Sequence, residues 1–243
     1  MERVETGIVG LDEMLGGGFL PNRIILVRGG PGSGKTTFAL QFMVEGVKKR
    51  ERGIYVTLEE PLNLIKTNMK LFGWDLQDLE TKGALKTIDG SSLAYKPSSN
   101  RTYGNSGSRL LITQLANQIK QAVENFKAKR LAVDPITSAV IHQRFPTDKR
   151  DEIIELVKTL RNIECTSIIT SEFSSPSGEG EFYVEEYLAD GVIILSKTLH
   201  NFKVIKTIRV EKMRGVQHDD QPRKYEIGDN GFLAYHTEPV NIL

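Results

Sequence analysis

The chain predicts an α/β fold: a twisted, mostly parallel sheet flanked by helices, with an antiparallel hairpin at its C-terminal end. Three observations predict it. Short apolar runs alternate with segments whose apolar residues recur at helical spacing, which is the pattern of β–α units. The first such run leads directly into a glycine-rich loop and then a helix. Near the end the order changes: a long alternating stretch and the turn Asp229-Asn230-Gly231 mark antiparallel strands.

Taken in order, residues 8–15 read as one short helix, which Gly16-Gly17-Gly18 breaks as a plain turn before Pro21-Asn22. Residues 23–27 read as a buried strand. It runs into Gly29-Gly30-Pro31-Gly32-Ser33-Gly34-Lys35-Thr36-Thr37, which has the P-loop spacing G-x-x-x-x-G-K-T. Phe38, Ala39, Phe42, Met43 and Val47 then share one helical face, so the motif has the strand-to-helix context it needs. Glycines let main-chain N–H groups curl around phosphate oxygens, and the helix start adds the positive end of its dipole. Lys35 places a charge on β- and γ-phosphates, and the Thr36 hydroxyl suits Mg²⁺. A Rossmann loop is excluded, because after Gly30 and Gly32 the third glycine position holds Lys35.

Residues 53–58 predict a second buried strand ending in Glu59-Glu60, with Pro61 opening a helix that carries Leu62, Ile65 and Met69. Carboxylates at a strand's carboxyl end lie where doubly wound sheets bind ligands. Either acid could orient and deprotonate a water for attack on a γ-phosphate, or both could merely complement the helix N-terminus. Residues 84–89 predict a third strand, 90–107 a long polar loop with Lys96 and Arg101, and 108–127 a helix. Residues 130–134 form an apolar strand ending in Asp134, the Walker B pattern, where the acid serves the metal. A helix follows over 148–162. A strand over 166–172 again ends polar, and 173–190 reads as a loop with a short helical piece, acidic throughout and free of Lys and Arg. Residues 191–195 are a strand, a turn falls at Leu199-His200-Asn201, and 204–211 is a long alternating strand followed by Lys212-Met213-Arg214-Gly215.

Length and composition set limits. At 243 residues, with no linker and no internal repeat, the simplest organisation is one domain over 1–243. Formal net charge is +1, so no global basic field points to nucleic acid. The lone Cys165 fits a reducing compartment and reads as a buried small residue. The lack of a signal peptide and of a long apolar stretch predicts a cytoplasmic protein without membrane contact.

These residues resemble a known family, the single-domain KaiC-like ATPases of the RecA superfamily. The matching stretches are Gly7-Ile8-Val9-Gly10-Leu11-Asp12, the P-loop, Glu59-Glu60, Phe72-Gly73-Trp74-Asp75-Leu76, Val133-Asp134 with Ser138, Thr170-Ser171-Glu172, residues 183–190, and Lys212-Met213-Arg214-Gly215 with His218. The resemblance implies a RecA-type core and a ring of identical copies, commonly a hexamer, with ATP or ADP and Mg²⁺ between subunits. Gly30, Pro31, Gly32, Ser33, Gly34, Lys35, Thr36 and Thr37 would hold the phosphates. Thr36 and Asp134 would serve the metal. Glu59 would be the general base with Glu60 beside it. Lys212 and Arg214 would reach the neighbour's γ-phosphate, where cationic fingers stabilise the transition state. Met213 and His218 would line the neighbour's nucleotide. Pro135 stands where the family usually has Ser, and the superfamily leads us to expect a cis Asp134–Pro135 bond. The paired Ser-Thr phosphosite of the clock protein's second domain has no counterpart after Asp134, which argues against autokinase activity.

Three functions compete. The first is a slow ring ATPase whose hydrolysis switches subunit packing for a protein partner. The second is a RecA-like protein that grips single-stranded DNA, for which the acidic loop 173–190 is unfavourable and residues 143–150 are only mildly basic. The third is an autokinase on the same fold. The ring ATPase is favoured.

Overall fold

The computed structural model describes residues 2–91, 106–140, 146–173 and 184–240. Among the described residues nine strands form one sheet: β1 (Ile24–Gly29), β2 (Gly53–Thr57), β3 (Leu85–Asp89), β4 (Arg130–Asp134), β5 (Thr166–Ser171), β6 (Gly191–His200), β7 (Lys203–Met213), β8 (Arg223–Gly228) and β9 (Gly231–Pro239). Their order is β3-β2-β4-β5-β1-β6-β7-β8-β9. The pairs from β3 through β6 are parallel, and those from β6 to β9 are antiparallel. The expected parallel sheet is therefore present, but its C-terminal extension is two hairpins in succession.

Strands β1, β2, β4 and β5 are buried along their whole length, as expected for parallel strands covered on both faces. Alternate residues feed two cores. Ile25 and Val27 point toward the helix Lys35–Lys48, whereas Ile24 and Leu26 point toward the helices Ser106–Phe126 and Pro146–Arg161. Arg130 is 1% exposed. Its guanidinium bonds the Phe42 and Glu5 carbonyls at 2.8 Å, pairs with Glu51 at 2.5 Å, and lies 4.4 Å from the Phe42 ring centroid. Gln41 joins the same helix to both chain ends. Its amide donates to the Gly7 and Phe232 carbonyls and accepts from the Phe232 N–H.

Several expected boundaries shift. The first helix is only Leu11–Met14, with Val4 and Phe19 bridging around the glycine turn. Strand β6 runs on through Lys197 to His200, so the turn lies at Asn201-Phe202, where both residues take positive φ. Lys212 and Met213 are the last residues of β7, within the strand. The short helices Leu76–Thr81 and Ile136–Ala139 were not anticipated, although Asp75 caps the former through bonds from the Gln77 and Asp78 N–H groups. The Asp134–Pro135 bond is cis. Most of the expected polar loop 90–107, much of the acidic loop 173–190, and 143–145 of the mildly basic stretch lie outside the described residues. Among the described residues no helix is long and apolar enough to cross a membrane. Burial pushes the Cys165 thiol up to about 12, in keeping with a packing role.

Candidate functional site

A cleft of about 530 Å³ opens at the carboxyl ends of β1, β2 and β4, lined by Pro31, Gly32, Gly34, Lys35, Thr36, Thr57, Glu59, Glu60, Asp134, Pro135 and Glu172. It follows from strand order. The phosphate loop leaves β1, Glu59-Glu60 leaves β2, Asp134 ends β4, and Glu172 follows β5, all at one sheet edge.

The loop is shaped to receive an anion. Gly32 and Gly34 take φ of +69° and +88°, so side chains there would be strained and successive N–H groups can converge. A Cβ on Gly30 would meet nothing within 4 Å, leaving the cradle open. The Ser33 hydroxyl is buried without a hydrogen-bond partner among the described residues. Lys35, 8% exposed, donates to the Gly29 and Gly30 carbonyls at 2.9 and 3.3 Å and pairs with Glu172 at 3.2 Å. Thr36 and Thr37 stand in the first turn of the helix Lys35–Lys48.

Asp134 is 4% exposed, with both carboxylate oxygens engaged. Tyr55 donates to Oδ2 at 2.8 Å and Thr170 donates to Oδ1. Glu59 accepts a 2.9 Å bond from the Ser138 hydroxyl. Burial, then the charges of Asp134 and Glu59, push the Glu60 carboxyl above its ordinary value, while Asn68 donates to it at 3.2 Å. Thr36 and Asp134 offer hard oxygens that suit Mg²⁺. Among the described residues no three His, Cys, Asp or Glu side chains could cage a metal alone, but Mg²⁺ seldom uses an all-protein cage.

Lys212, Met213, Arg214 and His218 do not join this cleft. Strand β7 is antiparallel to β6, so its end lies beside Gly191, the start of β6, which is level with Ile25. The phosphate loop begins after Gly29, which is level with Leu195. At about 3.3 Å per residue, roughly 13 Å of sheet separates the two levels. At that opposite edge Lys212 donates to the Glu186 carbonyl at 2.6 Å, and Arg214 donates to the Tyr187 carbonyl and approaches Asp190 at 3.6 Å. Burial and the nearby Arg214 charge lower the Lys212 pKa. Met213 is 5% exposed and turned into the core. His218 accompanies Val216, whose carbonyl lies 3.1 Å from Nδ1.

Three residues, one in the cleft and two against its phosphate loop, were not anticipated in the roles the structure gives them. Glu172 was read as a polar strand end and as part of the family-like stretch Thr170-Ser171-Glu172, with no partner assigned, and it pairs with Lys35. Tyr225 donates to the Ser33 carbonyl at 2.7 Å, and Lys197 donates to the Pro31 carbonyl. For Glu172 the available signal was its place at a strand's carboxyl end. Lys197 and Tyr225 fell outside every strand read from the sequence, and only sheet order brings them to the loop.

Comparison with known proteins gives the family and the fold. The family model described as "ATPase: KaiC" matches residues 4–238. A UPF0273 protein of Thermotoga maritima is 35% identical over 242 residues, covering 98% of each chain. The circadian clock protein KaiC3 of Synechocystis is 36% identical over 220 residues, which are 90% of this chain but 42% of that protein. The chain therefore spans less than half of KaiC3. The crystal structure of a KaiC-like protein from Pyrococcus horikoshii superposes with a TM-score of 0.82 at 31% identity, covering 96% of this chain and 99% of that one. The chain thus belongs to the KaiC ATPase family and has its RecA-type P-loop fold.

Proposed function

We propose that residues 1–243 form one Mg²⁺-dependent ATPase domain working in the cytoplasm as a closed ring of identical copies, in which one copy's cleft binds ATP and the next copy's Lys212 and Arg214 complete the site. The observation that carries this reading is the separation of the two halves onto opposite sheet edges. A chain cannot bring its own Arg214 to its own phosphate loop without breaking the β6–β7 ladder. A head-to-tail contact between copies would join the edges, and repeated contacts of that kind form a ring where the rotation between copies closes.

Within the cleft, the N–H groups of Gly32 to Thr37 and the Lys35 ammonium bind the phosphates, and a triphosphate competes with Glu172 for Lys35. Thr36 and Asp134 would hold Mg²⁺ on this side of the cleft, with Asp134 fixed by Tyr55 and Thr170. When bound, Mg²⁺ supplies positive charge to the phosphate oxygens. Glu59, oriented by Ser138, takes the proton of the attacking water, and Glu60 beside it holds the strand end in register through its carbonyl, which accepts from Thr57 at 2.7 Å. The Arg214 and Lys212 cations offset charge on the transferring phosphoryl group. ADP release resets the interface, which makes subunit packing the output read by a protein partner.

Equilibrium dialysis with ATP and ADP, with and without Mg²⁺, combined with light scattering and phosphate release, tests the proposal. We expect Mg²⁺-dependent retention, a multimeric mass and slow turnover. Failure to retain either nucleotide overturns the whole reading, and full turnover by a monomer overturns the ring.

A further inference from the structure

The phosphate loop is gripped from outside at alternate carbonyls by the antiparallel extension. Lys197 of β6 donates its ammonium to the Pro31 carbonyl, and Tyr225 of β8 donates its hydroxyl to the Ser33 carbonyl at 2.7 Å. The Lys197 ammonium also lies 3.2 Å from where a Cβ on Gly32 would stand. A trans peptide is planar, with its C=O and N–H pointing in opposite directions. The carbonyl of Pro31 and the N–H of Gly32 belong to one such unit, and the carbonyl of Ser33 and the N–H of Gly34 to the next but one. Fixing each carbonyl outward therefore fixes the following N–H inward, toward the cradle. Glycine at 32 and 34 lowers the barrier to flipping these planes, so something else must hold them.

A second feature singles out Lys197. It stands directly across the β6–β7 ladder from Lys206, and like charges so placed destabilise a sheet pair. A flexible, exposed lysine has no packing reason to lie over the loop, and a polar residue such as Thr would serve the strand better.

We infer that Lys197 is a positioning residue for nucleotide retention: by anchoring the Pro31–Gly32 peptide plane it keeps the Gly32 N–H aimed at the phosphates and so slows dissociation. Tyr225 does the same for the Ser33–Gly34 plane from a buried position. This inference rests on the proposal that the cleft binds a nucleoside diphosphate or triphosphate. It adds that the extension sets how long the nucleotide stays, in the same chain, independently of any finger from a neighbour.

The test is dissociation of a fluorescent ADP analogue from the full chain with Mg²⁺, followed by stopped flow for wild type, Lys197→Met and Lys197→Arg across a salt series. A lost hydrogen bond from a charged donor predicts dissociation about tenfold faster in Lys197→Met, with association changed less than about twofold. Arginine still donates, so Lys197→Arg recovers most of the retention. The ratio between Lys197→Met and wild type persists at high salt, because it reflects loop geometry and not a screened charge. Equal dissociation from Lys197→Met and wild type overturns the inference. So does a difference that disappears at high salt or appears only in association, since Lys197 then acts as a distant charge. If wild type itself holds no analogue, the nucleotide reading has failed and this inference with it. Binding by wild type with no effect in Lys197→Met refutes the anchoring alone.

Discussion

At the scale of single residues, Asp134 shows how a buried charge is kept. Tyr55 and Thr170 donate to its two oxygens, and the residue is 4% exposed at the floor of the cleft. Burial and the Asp134 charge raise the Tyr55 phenol pKa well above its ordinary value, so Tyr55 remains a donor throughout the physiological range. Tyr55→Phe keeps the ring but leaves the carboxylate one donor short. It should cost about 2 kcal/mol in urea unfolding, in the range for hydrogen bonds to charged groups. Glu60 makes a different prediction. Its carboxyl is raised by burial and by the charges of Asp134 and Glu59. Between its ordinary and raised values the folded chain binds more protons than the unfolded chain, so this group's contribution makes stability fall as pH rises through that window. The penalty is complete above the raised value and gone below the ordinary one. Glu60→Gln should therefore unfold at a higher temperature than wild type near pH 8, with the two converging near pH 4, as calorimetry at both extremes would read. A constant offset across that range would assign the effect to packing.

At the scale of elements, the phosphate loop and the helix after it are wedged between the parallel sheet and the β8–β9 hairpin. A Cβ on Gly34 would come within 2.3 Å of the Ile227 side chain, at a φ of +88°. Gly34→Ala should destabilise by about 2 kcal/mol or more, combining left-handed backbone strain with displacement of Ile227. Gly30→Ala, which meets nothing within 4 Å, should stay within about 0.5 kcal/mol of wild type in the same denaturation. This contrast also marks what the sequence could disclose. The loop was legible because its glycines and Lys35 are local and need only a strand before and a helix after. Strands β1, β2, β4 and β5 were legible because parallel strands buried on both faces are continuously apolar. The hairpin behind Gly34 was legible only as a turn at Asp229-Asn230-Gly231. Its pairing with β7, the stacking of Tyr225 on Phe232 at 4.4 Å, and the Tyr225 hydroxyl on the Ser33 carbonyl 192 positions away are set by the tertiary fold and leave no local signal. The extension of β6 was missed for a related reason: Lys197 and Thr198 carry turn-like polarity, but their ladder with β7 is fixed by Asn201 and Phe202, which accept positive φ at the tip.

At the scale of the whole molecule, one sheet places the phosphate loop and the Lys212–Arg214 pair on opposite edges, and the motif residues alone could not show on which edge each would fall. The register decides it: Gly29 is level with Leu195, whereas Met213 is level with Gly191. If function needs both edges, it must be a property of interfaces, and interfaces can be recombined. Arg214→Ala keeps its phosphate loop and should retain nucleotide while losing turnover by on the order of 10³-fold, the lower end for an arginine finger. Lys35→Ala keeps its finger but cannot hold the phosphates. In a random equal mixture, half of the loops are intact and half of the fingers facing them are intact, so about a quarter of interfaces carry both. Mixed rings should therefore recover up to about a quarter of wild-type phosphate release, although neither parent is active. The recovery should rise with the rate of subunit exchange, followed by energy transfer between labelled copies. If exchange is complete and phosphate release stays at the sum of the parents, Arg214 serves no neighbour, and the opposite edge must owe its charge to the Asp190 cluster it already binds.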